Sequence, residues 1–71
     1  MQKIELLLRN SDLTLFILRK SEEEANDLFD KLVAAINAEK RQLLKLTCDR
    51  NPKTKLAVLS NEIIAINLTE N

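Results

Sequence analysis

Seventy-one residues hold one hydrophobic core and no more. The chain is 45% apolar and 31% charged, with 11 basic and 11 acidic residues, a balance that reads as globular and argues against a disordered, fibrous or membrane-embedded chain and against a general coat for nucleic acid. A domain this short buries only about 60% of the surface its unfolded chain exposes, so self-association or help from a partner is expected.

The chain opens Met1-Gln2-Lys3-Ile4 with no apolar leader, twin arginine or long uncharged stretch, which predicts an intracellular protein without membrane insertion. Lys3 to Arg9 alternates as a strand, with Ile4, Leu6 and Leu8 on one face and Glu5, Leu7 and Arg9 on the other. Asn10-Ser11-Asp12 bond locally to backbone and tolerate left-handed conformations, so the chain turns there into the second arm of a hairpin, Leu13 to Leu18.

Ser21-Glu22-Glu23-Glu24 has the spacing of a capping box and predicts a helix start. From there Ala25, Leu28, Phe29, Leu32, Val33 and Ile36 fall on one stripe, which predicts a helix laid over the sheet. Acids crowd its beginning and Lys40 and Arg41 follow its end, the order the helix dipole favours. With no glycine available, Asn37 is the expected left-handed terminator.

Leu43 to Cys48 alternates as a third strand. Asp49 to Thr54, with Pro52 inside it, is a turn, and Lys55 to Leu59 is a fourth strand. Ser60-Asn61-Glu62 suits a tight or short helical turn, and Ile63 to Leu68 is a fifth strand. The expected fold is therefore a single α+β domain over residues 1–71, ordered β-β-α-β-β-β, with a mostly antiparallel sheet and one amphipathic helix packed on one face.

Missing residue types exclude chemistry more firmly than any motif suggests it. Glycine is absent, which removes phosphate-cradling loops. Histidine is absent and Cys48 is the lone cysteine, which removes the common four-ligand zinc sites, an internal disulfide, and Ser/His or Cys/His catalysis within one chain. The expectation is a protein that is not an enzyme and carries no cofactor. Glu22, Glu23, Glu24, Asp27 and Asp30 could serve a hard cation or an acid/base pair, but dipole and solvation explain the same residues more simply. Cys48 reads as a small packing residue rather than a redox thiol. Asn67-Leu68-Thr69 matches a glycosylation sequon and, without an export signal, has no route to the modifying enzyme.

Two surfaces remain as candidate sites. If Ile4, Leu6, Leu8, Leu13, Leu15, Ile17, Leu44, Leu46, Leu56, Val58, Ile66 and Leu68 face the helix, the other side of the sheet carries Leu7, Phe16, Leu18, Leu43, Leu59 and Ile63. That is more apolar surface than a monomer ordinarily exposes, so the face is expected to curl on itself as a partial barrel or to meet a protein partner or a second copy. Second, Lys45, Arg50, Lys53 and Lys55, with Lys40 and Arg41 nearby, form a basic segment able to contact a polyanion, although Phe16 and Phe29 are the only aromatics available for base stacking. Nucleic acid is the weaker of the two readings.

Arg19-Lys20, the Ala25 to Ile36 stripe, Leu46-Thr47-Cys48 and Ser60-Asn61-Glu62-Ile63 together resemble a small uncharacterised family of cyanobacteria and algal plastids. The resemblance runs along nearly the whole chain in the same order. It implies a cytoplasmic or stromal location in a photosynthetic cell and a link to photosynthetic machinery, and it carries over no catalytic or binding residue. Glu39-Lys40-Arg41 departs from the smaller or glycine-containing loops of that family, so the basic cluster is not something the resemblance implies.

Overall fold

The computed structural model describes residues 1–70. Five strands and one helix follow in the expected order: β1 (Gln2–Leu8), β2 (Thr14–Arg19), α1 (Glu22–Asn37), β3 (Leu43–Thr47), β4 (Lys55–Leu59) and β5 (Ile63–Glu70). The fold is α+β, with every strand pair antiparallel. A single 3₁₀ turn, Ser60–Glu62, joins β4 to β5.

The strands divide between two sheets, β2-β1-β5 and β3-β4, rather than forming one sheet of five. Local turn chemistry explains the first hairpin. Asn10 takes the left-handed conformation at φ 56°, and the Ser11 hydroxyl accepts from the Leu13 amide at 3.0 Å. Because the strand begins only at Thr14, Leu13 stays in the turn and is 70% exposed, not on the helix side as the alternation predicts.

Helix α1 starts as its sequence requires. The Ser21 Oγ accepts from the Glu24 amide at 3.1 Å, while Glu24 itself lies exposed. Its end differs from expectation. Asn37 is the last helical residue, and Ala38 caps the helix in an extended conformation, φ −71° and ψ 146°, with its N–H on the Ala35 carbonyl. The chain leaves the helix through a bend at residues 38–40 and takes no left-handed residue there.

The core forms where Ile4, Leu6 and Ile17 of the three-stranded sheet meet Ala25 and Leu32 of α1, with Leu46 and Val58 closing it from the β3–β4 hairpin. Leu8, Leu15, Leu44, Leu56, Ile66 and Leu68 pack at its margin. At about 25 cal/mol per Å² of apolar surface buried, each of these large side chains stabilises the fold by roughly 1.5–3 kcal/mol before chain entropy is subtracted.

Two residues expected on the opposite face are in fact buried, for separate reasons. Ile63 is 3% exposed because β5 carries a bulge: Leu7 pairs with Ala65 and Leu8 with Ile63, leaving Ile64 as the extra residue. The bulge resets the alternation, turning Ile63 inward with Leu8 and leaving Ile64 at the rim, 59% exposed. Leu18 does point away from the helix, opposite Lys3, but the chain leaving β3 crosses it and reduces it to 7% exposure. The loop after β3 thus covers the end of β2, and the two sheets stay separate.

Candidate protein-docking surface

The helix is wider in apolar character than the sheet beneath it. Ala25, Leu32 and Ala35 are buried and Leu28 is half-buried, whereas Val33 and Ile36, on the same stripe, overhang the sheet at 45% and 38% exposure. Strand β5 is the outer strand on this side, so its far edge pairs with no other strand among the described residues. Val33, Ile36 and half-buried Phe29 stand beside Ile64, Ala65 and Ile66 around a shallow hollow of about 340 Å³. From Ile63 to Thr69 the strand has no charged residue and no proline, and only the bulge at Ile64 interrupts its edge.

The outer face of the three-stranded sheet is more polar than the sequence suggests. Cross-strand rows put Lys3 with Leu18 and Thr69, Glu5 with Phe16 and Asn67, and Leu7 with Thr14 and Ala65 on that side. Lys3 pairs with Glu5 at 3.3 Å, and its ammonium lies 5.3 Å from the Phe16 ring centroid, within cation–π range. Of the six residues expected on a partner face, Leu7 and Phe16 therefore lie on this sheet, and Leu43 and Leu59 form a cross-strand pair on the other hairpin. Leu18 lies on this sheet too but is covered by the chain after β3, and Ile63 turns into the core. The six do not make one contiguous surface.

A clasp joins the two sheets at the ends of β2 and β3. The Asp49 amide donates to the Leu18 carbonyl at 2.9 Å, the Lys20 amide donates to Asp49 Oδ2 at 2.9 Å, and Arg19 Nη1 donates to the Thr47 carbonyl at 2.6 Å. Arg19 and Asp49 also form an ion pair at 3.7 Å. The Leu18 amide donates to Cys48 Sγ at 3.3 Å. Burial pushes the Cys48 thiol up, but the amides of Leu18, Arg50 and Asn51, with the charge of Arg19, outweigh it and hold the thiol below its ordinary value. At the other end, buried Ser60 ties the start of β3 to the end of β4: its Oγ accepts from the Gln42 amide at 2.9 Å and its amide donates to the Gln42 carbonyl at 2.8 Å. Sequence reasoning missed this clasp, since Arg19 and Asp49 are 30 positions apart and no periodicity links them.

The basic residues gather on the β3–β4 hairpin. Lys45 and Lys55 are exposed beside a shallow hollow of about 490 Å³ that also involves Thr47, Leu56 and Ala57, and Arg50 and Lys53 are exposed in the connecting loop. None of the four forms an ion pair among the described residues. Glu22, Glu23, Glu24, Asp27 and Asp30 are exposed along α1, and among the described residues no three His, Cys, Asp or Glu converge as metal ligands. No helix among the described residues is long and apolar enough to cross a membrane.

A family model described as the UPF0367 protein family matches residues 3–71. The chain belongs to this family. A UPF0367 protein of Gloeobacter violaceus is 41% identical over 66 residues, covering 93% of this chain and 71% of that protein. One from Acaryochloris marina is 40% identical over 70 residues, covering 99% and 80%, and one from Synechocystis is 31% identical over 70 residues, covering 99% and 75%. These are cyanobacterial proteins of uncharacterised function, which agrees with the family resemblance seen in the sequence. No solved structure matches significantly. Three of the strings that carry the resemblance have structural work in this fold: Arg19-Lys20 and Thr47-Cys48 make the clasp, and Ser60 pins the second sheet.

Proposed function

We propose that this protein is a non-enzymatic docking module of the cyanobacterial cytoplasm or the equivalent plastid compartment, and that it meets a protein partner through α1 and the open edge of β5. The observation that carries the reading is the coincidence of an unpaired strand edge with an apolar helix overhang, Val33, Ile36 and Ile64, in one strip. Edge strands left unguarded are ordinarily covered, and added strands draw affinity from main-chain bonds while flanking side chains supply selectivity. Affinity capture from a cyanobacterial lysate tests it: specific proteins held by the wild type are lost with Val33→Glu and retained with Leu43→Glu. Identical capture by all three would refute the assignment of this face. A part in photosynthetic machinery would show as capture of its components.

The unpaired cations Lys45, Arg50, Lys53 and Lys55 support a second reading, contact with nucleic acid through the β3–β4 hairpin. Retention on single-stranded nucleic acid that collapses with salt supports it, and flow-through at low salt refutes it.

A further inference from the structure

The strip along α1 and β5 is not only apolar; its charges run in order from one end to the other. Arg19, Gln2 and Glu70 share a cross-strand row, and Ser21, which begins α1, follows Arg19 by two residues. The acidic start of α1, with Glu22, Glu23 and Glu24, therefore lies at the Glu70 end of β5. The other end of the helix leads through Lys40 and Arg41 to Gln42, which is bonded to Ser60 just before β5 begins. Arg9 sits at that same end, its amide on the Glu62 carbonyl at 2.7 Å and Nη2 reaching the Asn61 carbonyl at 3.4 Å. Each end is only partly of one sign: Glu39 and Glu62 offset part of the positive charge at this end, and Lys3, Arg19 and Lys20 offset part of the negative charge at the other, leaving one charge of excess at each.

We propose that the partner is a second copy of this chain, joined by antiparallel pairing of the two β5 edges about a two-fold axis to make one continuous six-stranded sheet. This rests on the docking reading above and names its occupant. Antiparallel pairing is self-complementary under two-fold symmetry, so one strand edge satisfies both copies. It lays the acidic end of each strip against the basic end of the other, and two chains of zero net charge meet without overall repulsion. With the full strand paired, Ile64 of one copy stands opposite Thr69 of the other, so the Val33, Ile36 and Ile64 clusters lie at the two ends of the new strand pair, each beside the far end of the partner's β5.

The size falls just short of that of a stable dimer. Eight residues at about 3.4 Å each make an edge about 27 Å long, nearly the 30 Å long axis of the molecule. Over the molecule's shortest extent of 20 Å this is a strip of roughly 500 Å², close to the roughly 600 Å² per partner at which stable dimers begin. An interface of that size predicts a dimer that dissociates on dilution.

Sedimentation velocity over a dilution series tests the inference. The wild type should shift from dimer to monomer in the micromolar range. Ile64→Lys should remain monomeric with an unchanged circular dichroism spectrum, since Ile64 is largely exposed in the single chain. Phe16→Lys, on the other face of the sheet, should dimerise as the wild type does. A wild type that is monomeric throughout, or a dimer that survives Ile64→Lys and is broken by Phe16→Lys, overturns the proposal. Self-pairing and docking are separable: a strict monomer whose Val33-dependent capture of another protein persists loses the second copy as occupant and keeps the docking face.

Discussion

Replacing Asp49 separates what holds the two sheets together. Its Oδ2 accepts the Lys20 amide at 2.9 Å, a short bond to an ionised acceptor, and its Oδ1 stands 3.7 Å from Arg19, too far for a strong ion pair. A hydrogen bond to a charged group contributes about 1.5–3 kcal/mol, and an exposed ion pair about 0.2–1 kcal/mol. Because Asp49 is 27% exposed and water replaces part of what is lost, the low end of both ranges applies. Asp49→Ala should therefore cost about 1.5 kcal/mol, whereas Asp49→Asn, which keeps an acceptor and loses the charge, should cost about 0.5 kcal/mol. For a domain this size these correspond to falls in Tm of about 6–12 °C and about 2–4 °C. Thermal and urea unfolding followed by circular dichroism, at one fixed protein concentration, reads both values. An alanine variant within about 0.5 kcal/mol of wild type, or an asparagine variant as damaging as alanine, would refute the clasp as a stabilising element.

Two further outcomes follow from side-chain placement. Leu32→Ala should destabilise by about 2–5 kcal/mol because Leu32 is 1% exposed, while Val33→Ala, one position on, should stay within about 0.5 kcal/mol at low protein concentration; equal costs in urea unfolding would mean the helix is rotated from the orientation described. Cys48, held below its ordinary value of 9.0, should reach half-maximal alkylation rate below that pH in the folded protein, and an inflection at or above 9.0 would contradict the amide bonds assigned to its sulfur. The depressed thiol favours the folded state fully above 9.0 and loses that contribution as pH falls through the folded value, so wild type should gain stability over Cys48→Ala as pH rises across that window.

The sequence is most transparent where structure is local. Ser21 announces the helix, Asn10 and Ser11 announce the first turn, and the alternation of Ile4, Leu6 and Leu8 places a core face that the fold keeps. It is opaque where a single residue changes phase or where distant segments cross. The bulge at Ile64 turns Ile63 inward and makes an exposed edge residue out of one that alternation buries. Leu18 reads as outward-facing from its strand, which is correct, and as exposed, which is not, because the chain around Asp49 arrives from 30 positions away to cover it. The candidate docking surface was half legible for the same reason: the apolar stripe of α1 is plain in Ala25 to Ile36, but its overhang past β5 depends on strand order, which pattern alone does not determine.

Amide hydrogen exchange along β5 tests the covering of its open edge most directly. Beyond the bulge, alternate amides from Ala65 to Glu70 bond to β1, and the others point outward. The outward set should exchange rapidly in dilute wild type and in Ile64→Lys at every concentration, and slow markedly in concentrated wild type as the second copy pairs with them. Rapid exchange of those amides in concentrated wild type would contradict the account.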